Sequence, residues 1–171
     1  MEKIKQTIGL KALEIAISQL GQMEEPKGSN KGPMVDKYLA SVGLDPGYAW
    51  CQAFVYWCYQ QAGLALGVNN PAIHTAGVHD CWNHTTGSKR LSKIVAINRP
   101  ELVSPGDQFI LMFGSASGHT GLIESVDGYV IYTIEGNSNT DGSREGYEVV
   151  RHQRKLTDNA LVGIIRYTPG P

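Results

Sequence analysis

Asp45–Pro46–Gly47–Tyr48–Ala49–Trp50–Cys51–Gln52–Ala53–Phe54–Val55–Tyr56–Trp57–Cys58–Tyr59–Gln60–Gln61–Ala62–Gly63 is the stretch on which the fold turns. A Pro-Gly turn leads into a run without a charged residue. That pattern predicts a helix that starts near Trp50 or Cys51, runs to about Ala62 and is stopped by Gly63. A helix this apolar is normally buried centrally, so the rest of the chain must cover it. Upstream, Ala12, Leu13, Ala16, Ile17 and Leu20 form the stripe of an amphipathic helix that Gly21 is placed to end. Pro33 opens a second short helix through Val35, Tyr38, Leu39 and Val42. Residues 64–90 read as loop with one short helical turn. Beyond them the pattern changes to short strands, at Lys93–Ile97, Asp107–Phe113, His119–Val126, Tyr129–Glu135, Tyr147–His152 and Leu161–Tyr167, most of them separated by Gly, Pro, Asn or Asp. Helices followed by antiparallel strands imply an α+β fold. The expected organisation is one domain over 1–171, with a helical part at 1–45, the central helix at 49–63 and a sheet of about five to six strands at 93–168.

The bulk properties narrow the function. A chain of 171 residues, 42% apolar and 18% charged, has the composition of a folded interior. Fifteen Lys+Arg against sixteen Asp+Glu give a net charge of −1, without the basic excess of a nucleic-acid binder or a polybasic membrane clamp. The one basic run, Arg151–His152–Gln153–Arg154–Lys155, reads as a solvated strand end. The opening Met1–Glu2–Lys3–Ile4–Lys5–Gln6 has no secretory h-region, and no apolar run is long enough to cross a bilayer. Synthesis in the cytoplasm without a signal peptide is therefore expected, with neither nucleic acid nor membrane as partner, and a monomeric state.

Cys51 stands at the first position or so of the buried helix, where unpaired backbone N–H groups favour a thiolate. The other reading of a free cysteine is a small buried hydrophobe, which suits Cys58 in mid-helix. A thiolate nucleophile needs a proton shuttle, and His119 begins a strand after the small-residue loop Gly114–Ser115–Ala116–Ser117–Gly118. By itself His119 reads equally as a surface histidine at a strand mouth. Asp127–Gly128 is a hairpin signal, and the return strand carries Thr133–Ile134–Glu135–Gly136–Asn137. A two-residue turn at 127–128 would put Glu135 on the wrong face. A three-residue loop at 126–128, or a bulge of equivalent effect, pairs His119 directly with Glu135, and this is the expectation. There a carboxylate accepts the imidazole N–H and fixes its tautomer; elsewhere it is an ordinary solvated glutamate.

His74, His79, Cys81 and His84 offer nitrogen and sulfur ligands, but their spacing matches no regular zinc pattern. No G-x-S-x-G elbow, phosphate-binding glycine loop or H-E-x-x-H is present, which removes serine hydrolase, kinase and zincin chemistry.

Ala49–Trp50–Cys51–Gln52–Ala53–Phe54–Val55, then Pro105–Gly106–Asp107, Gly118–His119–Thr120–Gly121–Leu122–Ile123 and Ile134–Glu135–Gly136–Asn137 follow in order. The series resembles the CHAP domain, the cysteine- and histidine-dependent amidohydrolase/peptidase branch of the NlpC-type papain-like hydrolases, over roughly residues 10–168. The resemblance implies a papain-like fold with a central antiparallel sheet against the nucleophile helix, and cleavage of an amide bond in bacterial peptidoglycan by an N-acetylmuramoyl-L-alanine amidase or peptide endopeptidase. It implies Cys51 as nucleophile, His119 as base, Glu135 as the group that orients the histidine, and Asn137 as a further polar site residue. Tyr48, Trp50, Gln52 and Gly118 are expected along the substrate groove, with a core role the alternative for Trp50. The segment with Glu25, Gly28, Asn30 and Gly32 is similar to single-domain members among phage lysins. Some CHAP lysins bind calcium through several acidic residues before the nucleophile. Here Asp45 is alone, so no metal or cofactor is expected.

The rival readings are a papain-like cysteine peptidase or acyltransferase acting on a protein, and a non-catalytic cell-wall-binding relative. Peptidoglycan is the expected partner, reached after release or delivery by a holin or secretion system, with a secretion partner or immunity protein as further candidates.

Overall fold

The computed structural model describes residues 7–140 and 146–168; the opening segment Met1–Gln6 lies outside them. The helices are α1 (Ile8–Ser18), α2 (Val35–Ser41), α3 (Cys51–Leu66), α4 (Val78–His84) and α5 (Lys93–Asn98). The strands are β1 (Arg90–Ser92), β2 (Gln108–Phe113), β3 (Ser117–Asp127), β4 (Val130–Ser138), β5 (Glu148–Lys155) and β6 (Leu161–Ile165). They form one antiparallel sheet in the order β1-β6-β2-β3-β4-β5. The fold is α+β, as the helix-then-strand pattern predicts, with the antiparallel sheet against a central helix that the resemblance implies.

α3 is the central helix. It packs on α1, α2, β3 and β4, and its Ala53, Phe54, Val55, Cys58, Tyr59 and Ala62 are fully buried. α1 is capped by the Thr7 hydroxyl, which accepts from Leu10 N at 3.2 Å, and it buries Ile8, Ala12, Leu13 and Ala16. Strand alternation divides the sheet residues between two clusters. Ile110, Leu122 and Ile134 join the α3 side, whereas Phe109, Leu111, Ile123, Ile131 and Ile164 form a second cluster with Ala96 of α5 and Val103. Among the described residues no helix is long and apolar enough to cross a membrane.

Two local expectations are corrected. α3 does not stop at Gly63 but continues to Leu66, with Gly67 as the left-handed cap at φ 68°. Gly63 stays helical because the chain folds back over it: an added Cβ would lie 2.7 Å from the Val68 carbonyl oxygen. Lys93–Ile97 is not a strand but lies in α5, started by the Ser92 hydroxyl on Val95 N at 3.5 Å. Its β-branched run is ambiguous between the two states, and burial of Ala96 decides it. Of the two devices expected between β3 and β4, the three-residue loop is absent and the bulge is present. Asp127 pairs with Val130 across Gly128 and Tyr129, and the register then shifts between Ile123 and Ser125, leaving Glu124 as the extra residue of a bulge.

Candidate active site

The tip of α3 meets the β2–β3 hairpin, the end of β4 and the middle of β5 around a groove of about 620 Å³. Cys51, Phe113, Gly118, His119, Asn137, Asn139, His152 and Arg154 are among the residues that line it. Cys51 is the first residue of α3, so its N–H has no carbonyl four residues back to bond. The helix can approach β4 this closely because residue 136 is glycine: a Cβ there would sit 2.8 Å from atoms of Phe54 and Trp50.

His119 pairs with Leu111 and so leaves the sheet on the face of Phe109, whose ring lies 6.2 Å from the imidazole. Its Nε2 donates to Glu135 Oε2 at 2.7 Å, which leaves Nδ1 as the nitrogen available to the thiol. The bulge at Glu124 restores the facing that a plain two-residue turn would lose, but the two residues meet on a diagonal. Gly121 is the residue against Glu135, with an added Cβ falling 2.9 Å from Glu135 Cγ. Direct pairing of 119 with 135 is thus replaced by an offset of two residues.

Glu135 is fully buried and heavily bonded. Its Oε1 accepts from Thr133 Oγ1 (2.7 Å) and Arg154 Nε (2.7 Å), and its Oε2 from Arg154 Nη2 (2.7 Å) and Ser138 Oγ (3.2 Å) as well as His119. Burial alone would raise its pKa, but Arg154 and His119 together outweigh it and hold the carboxyl far below the usual range. Burial likewise pulls His119 down, yet the adjacent Cys51 thiol and Glu135 carboxylate win, and its pKa is pushed up to about 9. Glu135 is therefore ionised, and the imidazole is biased towards its charged form beside the sulfur.

Asn137 has φ 52°, a left-handed value that breaks the alternation of β4. With the amide assigned the orientation that satisfies both of its ends, it serves two backbone groups, Oδ1 accepting from Trp50 N at 3.2 Å and Nδ2 donating to Gly146 O at 2.7 Å. It thereby ties the residue before Cys51 to the end of β4.

Of the side chains expected along the groove, Gly118 lines it. Trp50 does not: its ring is fully buried, stacks on Tyr38 at 5.6 Å and donates from Nε1 to Glu24 Oε1 at 2.9 Å. Gln52 is also fully buried, because the second position of α3 faces the sheet, where its Oε1 accepts from Gln108 Nε2 at 2.7 Å. Tyr48 is exposed in the turn before α3 and is not among the lining residues; Ala49 takes that edge. His74, His79 and His84 spend ring nitrogens on Ser41 O, Ser117 O and Asp80, and among the described residues no three metal-ligating side chains converge.

The residue that sequence reading missed is Arg154. It lies in the basic run read as solvated, yet alternation along β5 turns His152 and Arg154 into the groove and leaves Arg151, Gln153 and Lys155 exposed. The period-two pattern of that run is the available signal, but only the register says which parity faces Glu135.

The family model of the CHAP domain matches residues 43–137, more than half of the chain, from the turn before α3 to Asn137. The chain belongs to the CHAP domain family. This is a family of cysteine- and histidine-dependent amidohydrolases and peptidases. No curated protein and no solved structure matches the chain. In this CHAP domain α1, α2, β5 and β6 lie outside the matched stretch.

Proposed function

We propose that this CHAP domain cleaves an amide bond of bacterial peptidoglycan, as an N-acetylmuramoyl-L-alanine amidase or a peptide endopeptidase, through an acyl-enzyme on Cys51. The observation that carries the reading is Cys51 at the free N-terminus of α3, in one groove with a His119 anchored to buried Glu135. A groove of this volume, with Asn30 and Thr140 on its border, has room for an extended peptide carrying sugar.

The Cys51 thiolate attacks the scissile carbonyl carbon; an S–C bond forms and the C=O π pair moves to oxygen. The Cys51 backbone N–H hydrogen-bonds that oxyanion, a type of contact that contributes roughly 10²–10³-fold. The C–N bond then breaks as His119 Nδ1–H protonates the leaving amine, giving a thioester. His119, now neutral, takes a proton from water. The resulting hydroxide equivalent adds to the thioester, and the S–C bond breaks to release the acid and restore the thiolate–imidazolium pair. Glu135 keeps Nε2–H donated away from the groove throughout, so that Nδ1 faces the reaction.

The test is amine release from purified cell wall, with mass spectrometry of the soluble muropeptides. Wild-type protein is expected to release amines and Cys51→Ala none, with the same melting profile. Cleavage of protein substrates but not of cell wall would transfer the reading to a protein-directed peptidase.

A further inference from the structure

β5 contributes to the site from outside the stretch matched by the family model. Arg154 grips Glu135 with both prongs of its guanidinium, Nε to Oε1 and Nη2 to Oε2, each at 2.7 Å. A two-pronged guanidinium fixes the plane of a carboxylate as well as its charge. The Arg154 side chain is only 20% exposed, and its guanidinium lies 5.7 Å from the ring of Phe109, the ring that also backs His119. A fully buried carboxylate without a cation tends to take up a proton, and a protonated Glu135 would compete as a donor for the position that His119 Nε2–H occupies.

We propose that Arg154 is a positioning residue of the catalytic centre, whose bidentate clamp keeps Glu135 ionised and turned so that His119 presents Nδ1 to Cys51. The proposal rests on Cys51 and His119 being nucleophile and base, and it is independent of the substrate. The groups facing His119 are Cys51 from α3, Glu135 from β4 and Phe109 from β2. Arg154 and His152 enter the groove from β5, Asp158 acts on Arg154 from the turn beyond β5, and His79 of α4 is engaged with Ser117 O.

The test is the pH dependence of Cys51 alkylation by iodoacetamide, which needs no substrate. In R154Q a cation is lost beside the relay and Glu135 protonates more readily. The imidazolium needs that carboxylate ionised, so the lower limb of labelling, set by ionisation of Glu135, moves to higher pH by about one unit or more. At a pH on that limb, labelling is then about ten times slower, as one unit implies. R154K returns the charge without the fork, so its limb is expected about half a unit above wild type. A folded R154Q whose limb stays within about 0.2 units of wild type would overturn the proposal, since neighbouring charges at this range shift titrations by more. If R154Q does not fold, R154K decides by the same criterion. Failure of both to fold would assign Arg154 to the fold instead. A wild type that labels with a low limb but releases nothing from cell wall would count against the wall substrate alone.

Discussion

Glu135 holds His119 on the diagonal of the β3–β4 ladder, Nε2 to Oε2 at 2.7 Å, with Gly121 filling the place directly against the carboxylate stem. That glycine makes room for the contact. An alanine Cβ at 121 would fall 2.7 Å from Ile134 O and 2.9 Å from Glu135 Cγ, so backbone or carboxylate must move. Gly121→Ala is expected to destabilise by about 1–3 kcal/mol and to lower turnover at least about tenfold. Thermal unfolding and amine release measure the two effects; unchanged turnover in the folded variant would contradict the role of this contact.

Gly136 governs the other approach, that of α3 to β4. Because its Cβ position is 2.8 Å from Phe54 and Trp50, Gly136→Ala is expected to lift the helix tip and with it Cys51. The expected signature is a loss of activity of about 10²-fold, since a displacement near 1 Å at a reacting atom has that cost. A variant that is less stable yet turns over normally would show that the tip tolerates the shift.

The pH profile follows from His119. With its pKa pushed up to about 9, the imidazolium that protonates the leaving amine is depleted as pH rises through that value, so kcat/KM falls on its basic side near pH 9. Stability moves with the same sign. A folded-state pKa above the ordinary 6.5 means the contribution is complete below about 6.5 and is lost as pH climbs through 9. Glu135 acts oppositely: its pKa is depressed, so its contribution is complete above the ordinary 4.5 and is lost progressively as pH falls from there into strong acid. A melting temperature that rises between pH 7 and 10 would contradict the assignment.

Asn137 separates a backbone requirement from a side-chain one. Asn137→Gly keeps φ 52° accessible but removes the amide that links Trp50 N to Gly146 O, whereas Asn137→Ala loses both. Alanine is expected to be less stable than glycine by about 1 kcal/mol. Both variants should lose activity alike if the clasp on Trp50 is what counts, and parallel denaturation and turnover assays check the split.

The three cysteines should separate cleanly under alkylation. Cys58 and Cys81 are fully buried, and burial pushes both thiols up, while Cys51 borders the groove. Iodoacetamide on native protein is expected to modify Cys51 first, mapped by peptide mass. Cys58→Ala should cost about 1 kcal/mol and leave turnover intact. Rapid labelling of Cys58 would mean that α3 opens.

Read alone, the chain already specified the uncharged run that becomes α3, Cys51 at its head, the period-two strands and the order of the motif-bearing segments, because each is set by neighbours within one or two turns of backbone. Where a local pattern suits two states, as in Lys93–Ile97, or where the stop signal Gly63 is overruled by the chain packed on it, packing decided. The site was legible as a set of residues but not as a geometry. One extra residue, Glu124, shifts the ladder so that His119 and Glu135 share a face on the diagonal, and the β4–β5 register brings Arg154 out of an apparently solvated basic run onto the buried carboxylate. Trp50 and Gln52 flank Cys51 in sequence yet point into the core: Trp50 precedes the helix in a non-helical conformation, and Gln52 is turned from Cys51 by the roughly 100° between successive helical residues. Short-range periodicity is written in the chain; register and facing belong to pairings between distant segments, which exist only once the sheet has closed.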